Sequence, residues 1–241
     1  GYARIPQNNG FEQLMYDSKM FTRLSKADST QQFAYVVQSA TNSPDFYHVD
    51  QSFEDAVALT NTNPQQEKYH WADDEVVSFT NEDGQQLEGR LIYPANYDPD
   101  KEYPMITYIY EKLSQTTHSY SMPSRTDEYN ARRYSSEGYF VFMPDITYEL
   151  SEPGVSAVKS VVPAVNEVLK TGMVNEEQLG LTGHSWGAYQ TTFIITQTDL
   201  FNSAVAGAPL TNMVSMYNSI YWNSGTPDAK IFETSQGRFP D

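Results

Sequence analysis

The pentapeptide Gly183-His184-Ser185-Trp186-Gly187 constrains the fold of this 241-residue chain more than any other feature. The pattern G-x-S-x-G is typical of a sharp turn between a strand and a helix, which lifts a serine hydroxyl clear of a parallel sheet. Glycine is needed on both sides because so tight a turn leaves no room for a Cβ atom. The pattern predicts that Ser185 is a nucleophile. The alternative is a glycine-flanked turn whose serine has no chemical role.

The segments around the pentapeptide favour the nucleophile. A short run at 178–182 predicts a buried strand, and residues 188–196 continue without Gly or Pro, as a helix would. The run 204–209 predicts the next buried strand and closes with a proline. A nucleophile elbow requires strand, turn, helix and strand in this order.

Residues 71–241 alternate between apolar strands and helical spacing, which predicts an α/β fold with a mainly parallel sheet. The hairpin that opens this region has either a type I′ turn or a bulged one. Pro163 lies inside a predicted helix and either kinks it or marks its true start. The predicted elements are a hairpin of 75–79 and 87–93, strands over 105–110 and 139–143, and a helix over 156–170.

Residues 1–70 have a different pattern, with short strands separated by turn residues. Four short strands in about forty residues are the size of one β-propeller blade. A single blade cannot bury both of its faces, so we expect residues 1–70 to be the last blade of a longer propeller. A small β-extension packed on the next domain is the alternative. The predicted strands are 21–25, 32–38, 46–49 and 56–59.

Composition excludes several classes of partner. Acidic residues outnumber basic ones 31 to 15, for a net charge of −16, and such a surface repels phosphate backbones, so we expect no nucleic-acid partner. No apolar run approaches the length needed to span a bilayer, so no membrane insertion is predicted. The chain has no cysteine, which excludes a thiolate metal site. We expect no metal and no cofactor. Composition does not identify a compartment, although an extracytoplasmic one is favoured over the cytoplasm.

Several segments match one known family, in the same order along the chain as the elbow and the strand that ends at Tyr110. These segments are 59–64, 83–89, 93–98, 103–104, 138–141, 206–209 and 217–221. Over nearly its whole length the chain resembles the prolyl oligopeptidase family of serine peptidases, in its dipeptidyl-peptidase and acylaminoacyl-peptidase branch. The resemblance implies an α/β-hydrolase fold, incomplete here, that is preceded by the end of a β-propeller. The chain departs from the family where Glu111-Lys112 replace a glycine pair, so we expect that loop to take another conformation.

The resemblance also implies roles for five residues. Ser185 would attack a short peptide substrate and form an acyl-enzyme, while the backbone N–H of Trp186 would donate into the oxyanion hole. Tyr110 holds the position of a tyrosine whose hydroxyl is a second oxyanion donor. Tyr217 and Tyr221 match aromatic positions that line the pocket for the substrate residue before the cleaved bond, and the Trp186 ring would add another wall. The alternative for these aromatic rings is ordinary packing.

A serine nucleophile needs a base and an acid that orients the base, and in α/β-hydrolases both follow the serine in the chain. No histidine follows Ser185 in this sequence. His118, which lies in the loop after Tyr110, is the alternative candidate for the base. We expect the triad aspartate and histidine beyond residue 241, so that residues 1–241 alone are inactive. That C-terminal segment of the parent chain, or else a partner, would also cover the open edge of the sheet. Three aspartates do follow Ser185, but all three come too early in the chain for the triad role: Asp199, Asp228 and Asp241.

Two other functions stay open at this point. The same elbow serves esterases, although a plain esterase does not need the preceding blade. A catalytically silent module would instead bind partners through the blade or through the exposed edge of the sheet.

Overall fold

A computed structural model describes residues 1–6, 10–127 and 129–234, so that Asp241 lies outside the described residues. None of the helices in these ranges combines the length and apolarity needed to cross a bilayer. The strands are β1 Tyr2–Arg4, β2 Glu12–Met15, β3 Met20–Lys26, β4 Gln32–Gln38, β5 Asp45–Asp50, β6 Val57–Ala58, β7 Asp74–Thr80, β8 Gln86–Ile92, β9 Tyr103–Ile109, β10 Phe140–Pro144, β11 Val174–His184, β12 Ser203–Gly207, β13 Ile220–Tyr221 and β14 Thr226–Pro227. The helices are α1 Ala131–Ser136, α2 Pro153–Leu169, α3 Trp186–Ile194, α4 Met213–Tyr217 and α5 Ile231–Thr234.

The N-terminal part of the chain forms a four-stranded antiparallel sheet in the order β3-β4-β5-β6, as the four short strands predicted. Its core is aromatic, and the Tyr2 ring meets the buried Tyr35 ring edge-on at 5.9 Å between centroids. Tyr2 belongs to the β1–β2 hairpin, which lies outside the predicted strands. Strands of three and four residues show too few apolar positions for a period to be recognised. The domain boundary near residue 70 stays a prediction.

The second sheet has six strands in the order β12-β11-β9-β10-β8-β7. β12, β11, β9 and β10 run parallel, while β8 and β7 pair antiparallel at the other edge. The turn between β7 and β8 is the bulged alternative, because Gly84 has a φ of 77° and donates its N–H to Asn81 O at 3.0 Å. The elbow follows β11, the fifth strand of this series, as the pattern predicted.

The long helix α2 packs its apolar stripe on the sheet. Val161, Val165 and Val168 are fully buried against strand residues that include Phe140 and Phe142. Each such side chain contributes roughly 1.5–3 kcal/mol by burial. This face of the sheet therefore holds the main core of the α/β region.

Pro163 lies inside α2, which begins at Pro153, so the prediction that Pro163 marks the helix start is wrong. Proline has no N–H, so the carbonyl four residues earlier loses its helical partner. Here the Glu82 N–H, from the β7–β8 turn, donates to that carbonyl, Lys159 O, at 3.1 Å. The Lys159 ammonium also lies 2.8 Å from Asp83 Oδ1. The hairpin turn thus satisfies the group that proline leaves free.

The open side of the sheet lies at β12. Among the strands that the structure describes, β12 occupies one edge, and Val205 on it is 64% exposed, so the prediction that this strand is buried is wrong. The identity of what covers this edge stays a prediction.

A buried charge cluster joins the two sheets. Asp74 on β7 accepts from Arg90 Nε at 2.5 Å, and its other oxygen lies 3.5 Å from the Arg132 guanidinium on α1. Arg132 also donates to Ala72 O at 2.7 Å and to Ala40 O, in the loop after β4, at 3.0 Å. These side chains are almost completely buried. One carboxylate therefore holds two cations at the contact between the blade-like sheet and the α/β region.

We predict that Asp74→Ala lowers the free energy of unfolding by about 3–5 kcal/mol, because it leaves buried guanidinium groups without their carboxylate. Urea unfolding followed by tryptophan fluorescence measures the change. Asp98→Ala is the control, because it removes an ion pair of similar length, 2.9 Å from Lys101, whose side chains are both exposed. Equal losses in the two variants would contradict the assignment.

Candidate active site

Ser185 lies at the turn between β11 and α3, with φ 53° and ψ −113°. Residues other than glycine rarely adopt a positive φ, and holding one there costs about 1–3 kcal/mol. The Ser185 N–H donates to Gly207 O at the end of β12 at 2.8 Å. The neighbouring parallel strand therefore holds the strained turn at the carboxyl end of the sheet, where α/β proteins bind their ligands.

The two glycines of the pentapeptide have no room for a side chain. A Cβ on Gly183 would lie 2.5 Å from backbone atoms of Gly187. A Cβ on Gly187 would lie 2.2 Å from the carbonyl oxygen of Ile109, at the end of β9. Contacts this short force the backbone to move. The crowding that the sequence pattern implied is thus present on both sides of Ser185.

Two candidate oxyanion donors lie at the elbow. Trp186 is the first residue of α3, so its N–H belongs to a helix N-terminus, where partial positive charge favours an anion. Tyr110 follows β9 directly and is 38% exposed. Its Cδ2 atom lies 3.4 Å from the point where a Gly187 Cβ would sit. The structure therefore brings Tyr110 against the first turn of the elbow helix.

The Trp186 ring packs within the elbow helix. It is buried, with its centroid 5.2 Å from that of Tyr189 one turn further on. Burial raises the pKa of the Tyr189 phenol, which therefore stays protonated and is unsuited to act as a base. This arrangement fits the packing alternative for the Trp186 ring, and its role as a pocket wall stays a prediction.

Tyr217 and Tyr221 lie in one small unit built from α4, β13 and β14. The Tyr217 ring meets the buried Phe232 ring edge-on at 5.6 Å between centroids. Tyr221 is 55% exposed and lines an open cleft of about 460 Å³, which Ser215 and Met216 of α4 also line. The connection of this cleft to Ser185 stays a prediction.

The histidines in this region have other neighbours. His184, which precedes the serine, places Nδ1 3.2 Å from the Tyr129 hydroxyl, and the two rings lie 5.3 Å apart. Lys19 and the Ser18 N–H hold the pKa of Asp17 below its ordinary value, and His118, the alternative candidate for the base, adds a smaller electrostatic contribution. Asp17 precedes β3 in the N-terminal part of the chain. This position gives no support to His118 as the base.

The acids after the elbow have surface positions. Asp199 is exposed, and Asp228 accepts a hydrogen bond from Ser219 Oγ at 2.7 Å. Within residues 1–6, 10–127 and 129–234, no group of three or more His, Asp or Glu side chains is placed to hold a metal ion.

A residue that the sequence did not single out, Asp145, fixes the loop after Tyr110. Its carboxylate accepts from the Leu113 N–H at 2.7 Å, the Ser114 N–H at 2.8 Å and the Ser114 hydroxyl at 2.7 Å. The only sequence signal was its place directly after a buried strand. In the same loop Glu111 has a φ of 49°, so a glutamate occupies the conformation that glycine favours.

Comparison with known proteins gives a consistent result. The model of the prolyl oligopeptidase family matches residues 150–236, which include the elbow. The uncharacterized peptidase YuxL of Bacillus subtilis is 26% identical over 155 residues, covering 59% of this chain and 23% of the relative. The dipeptidyl peptidase 4 of Porphyromonas gingivalis matches with a TM-score of 0.67 and 17% identity, over 87% of this chain and 31% of that one. The acylaminoacyl peptidase of Pyrococcus horikoshii matches with a TM-score of 0.68 and 18% identity, over 86% and 34%.

The chain thus spans 23% of that curated relative and about a third of each solved structure, at 31% and 34%. At identities this low, the likeness to the two solved structures shows the fold and nothing more. They confirm the predicted fold class, an α/β-hydrolase sheet preceded by the end of a β-propeller.

The crowding at the elbow generates a stability prediction. Gly183→Ala should lower the free energy of unfolding by about 1–3 kcal/mol, because the new methyl group meets backbone that cannot move aside freely. Gly180→Ala is the matched control in the same strand, since its Cβ would lie an ordinary 3.4 Å from Ser203 Oγ. Urea unfolding of both variants measures the difference. A Gly183→Ala protein as stable as the control would show that the turn is looser than described.

Proposed function

This chain belongs to the prolyl oligopeptidase family, and we propose that its protein is a serine peptidase that hydrolyses short peptides through an acyl-enzyme on Ser185. The Ser185 hydroxyl attacks the scissile carbonyl and loses its proton to a base. The oxygen of the tetrahedral intermediate accepts from the Trp186 N–H and from the Tyr110 hydroxyl. The base gives this proton to the leaving nitrogen as the intermediate collapses, which releases the amine and leaves an acyl ester on Ser185. Water then hydrolyses the ester, which releases the carboxylic acid and restores the Ser185 hydroxyl.

The backbone at Ser185 carries this proposal. A serine without a role needs no positive φ and no pair of glycines packed too tightly for a Cβ atom. Strained residues persist only where their surroundings hold them, and they cluster at active sites. The turn also lies beside Tyr110, a group suited to stabilise an oxyanion.

Substrate recognition is assigned to the unit that holds Tyr217 and Tyr221. An open cleft with exposed aromatic surface suits an apolar substrate residue, and we place the residue before the scissile bond there. The names of the relatives support a peptide substrate: they include a dipeptidyl peptidase and an acylaminoacyl peptidase.

No base is assigned within residues 1–241. No histidine follows Ser185, and in this fold the base follows the nucleophile in the chain. We therefore propose that the triad acid and base are supplied from outside these residues.

Fluorophosphonate labelling tests the nucleophile directly, since the probe reacts with activated serines. In the full-length natural chain we expect rapid labelling that Ser185→Ala abolishes, with Ser151→Ala as a control for serine loss elsewhere. A polypeptide of residues 1–241 alone should show negligible peptide turnover. A folded full-length protein that stays unlabelled would favour a catalytically silent module. Turnover of esters without any turnover of peptides would favour an esterase.

Tyr110→Phe tests the second oxyanion donor in the full-length chain. Removing one hydroxyl donor should lower kcat by about 10²–10³-fold. KM should change little, because the interaction forms in the transition state. Tyr108→Phe is the matched control, two residues earlier on β9, where the ring packs on Tyr129 at 5.6 Å. Similar kcat values for the two variants would remove Tyr110 from the mechanism.

A further inference from the structure

The loop after Tyr110 is tied to the end of the neighbouring strand. β9 and β10 run parallel with Phe142 opposite Thr107, so residues three positions further on, Asp145 and Tyr110, lie at the same level. The Ile146 N–H donates to Glu111 O at 2.8 Å. The backbone of Glu111, the residue next to Tyr110, is therefore held by the segment that follows β10.

The Asp145 carboxylate makes the rest of this attachment. One oxygen accepts both the Leu113 and Ser114 N–H groups, and the other accepts the Ser114 hydroxyl. Asp145 is only 8% exposed, so water competes little for these bonds. Hydrogen bonds to an ionised acceptor are about twice as strong as those between neutral groups. Three such bonds on the adjacent residues Leu113 and Ser114 hold this part of the loop in one conformation.

The conformation that they hold is an unfavourable one. Glu111 sits at φ 49°, where a side chain with a Cβ atom is rarely found. Such a residue relaxes unless its surroundings prevent it. Because Glu111 directly follows Tyr110 and precedes the anchored residues Leu113 and Ser114, release of those two residues would let the loop beside the Tyr110 ring shift.

The far end of the loop has separate anchors. Arg90 donates to Thr116 Oγ1 at 3.3 Å and to Ser119 O at 3.2 Å. Tyr120 stacks on Trp71 with ring centroids 5.4 Å apart and planes 2° from parallel. Loss of the Asp145 carboxylate therefore removes the bonds that hold Leu113 and Ser114, while the Ile146 bond to Glu111 O and the anchors of the far end stay in place.

We infer that Asp145 is a positioning residue for Tyr110: its carboxylate holds the loop in the conformation that keeps the tyrosine hydroxyl at the oxyanion site. This inference rests on the proposed function, in which Tyr110 donates to the oxyanion. Asp145 does not touch the substrate and acts through the loop.

A double-mutant cycle in the full-length chain tests this role. Asp145→Ala should lower kcat by about tenfold to a hundredfold with little change in KM, because misplacing a catalytic group by about 1 Å costs up to about 10²-fold. In a Tyr110→Phe background the same substitution should lower kcat by less than about twofold, since residues acting through one another are not additive. Asp145→Asn should keep kcat within about threefold of wild type, because its amide oxygen still accepts both backbone N–H groups.

Hydrogen exchange provides the readout that does not depend on activity. The Leu113 and Ser114 amides should exchange at least about tenfold faster in Asp145→Ala, because their acceptor is gone. Asp50→Ala is the matched control: Asp50 accepts from the N–H and hydroxyl of Ser52 at 2.8 and 2.6 Å, in the same way but in the N-terminal sheet. It should change neither the Leu113 and Ser114 exchange nor kcat.

The outcomes separate the two proposals. Equal losses of kcat in the wild-type and Tyr110→Phe backgrounds would overturn the positioning role and leave the peptidase proposal intact. Unchanged exchange at Leu113 and Ser114 in Asp145→Ala would overturn it as well. A folded wild-type protein that fluorophosphonate does not label would overturn the proposed function itself.

Discussion

The first turn of α3 passes so close to β9 that Gly187 has no space for a side chain beside the Ile109 carbonyl. The backbone of Gly187 in turn leaves no space for a Cβ atom on Gly183, on the other side of the strained Ser185. Tyr110 follows Ile109 directly, so the strand that packs on the elbow also brings the tyrosine to it. The proposed nucleophile and its proposed oxyanion donor therefore depend on one contact between a helix and a strand.

The surroundings of this contact extend to the N-terminal sheet. Arg132 donates to the Ala40 carbonyl, in the loop after β4 of that sheet, and lies beside Asp74, which also accepts from Arg90. Arg90 in turn binds the far end of the loop that follows Tyr110. A connected set of hydrogen bonds thus runs from the blade-like sheet to the loop beside the elbow. Such a network makes the position of the loop depend on how the two sheets are joined.

Much of the fold could be predicted from the sequence, because central strands such as β10 are apolar runs and the elbow has a steric signature. Local patterns failed where a distant partner decides the outcome. Pro163 stays inside α2 because a hairpin turn some eighty residues earlier supplies the N–H for Lys159 O. The hydrogen bonds from Leu113 and Ser114 to Asp145 join residues about thirty positions apart. They depend on the register of two strands, which no local pattern shows.

In the proposed mechanism Ser185 is the nucleophile, and the oxyanion of the tetrahedral intermediate accepts from the Trp186 N–H and the Tyr110 hydroxyl. A crystal structure of the full-length chain after reaction with a fluorophosphonate tests this most directly, because the phosphoryl oxygen takes the place of the oxyanion. We predict a bond between phosphorus and Ser185 Oγ, with that oxygen about 3 Å from both donors. Phosphorus on another residue, or a phosphoryl oxygen directed away from both groups, would contradict the account.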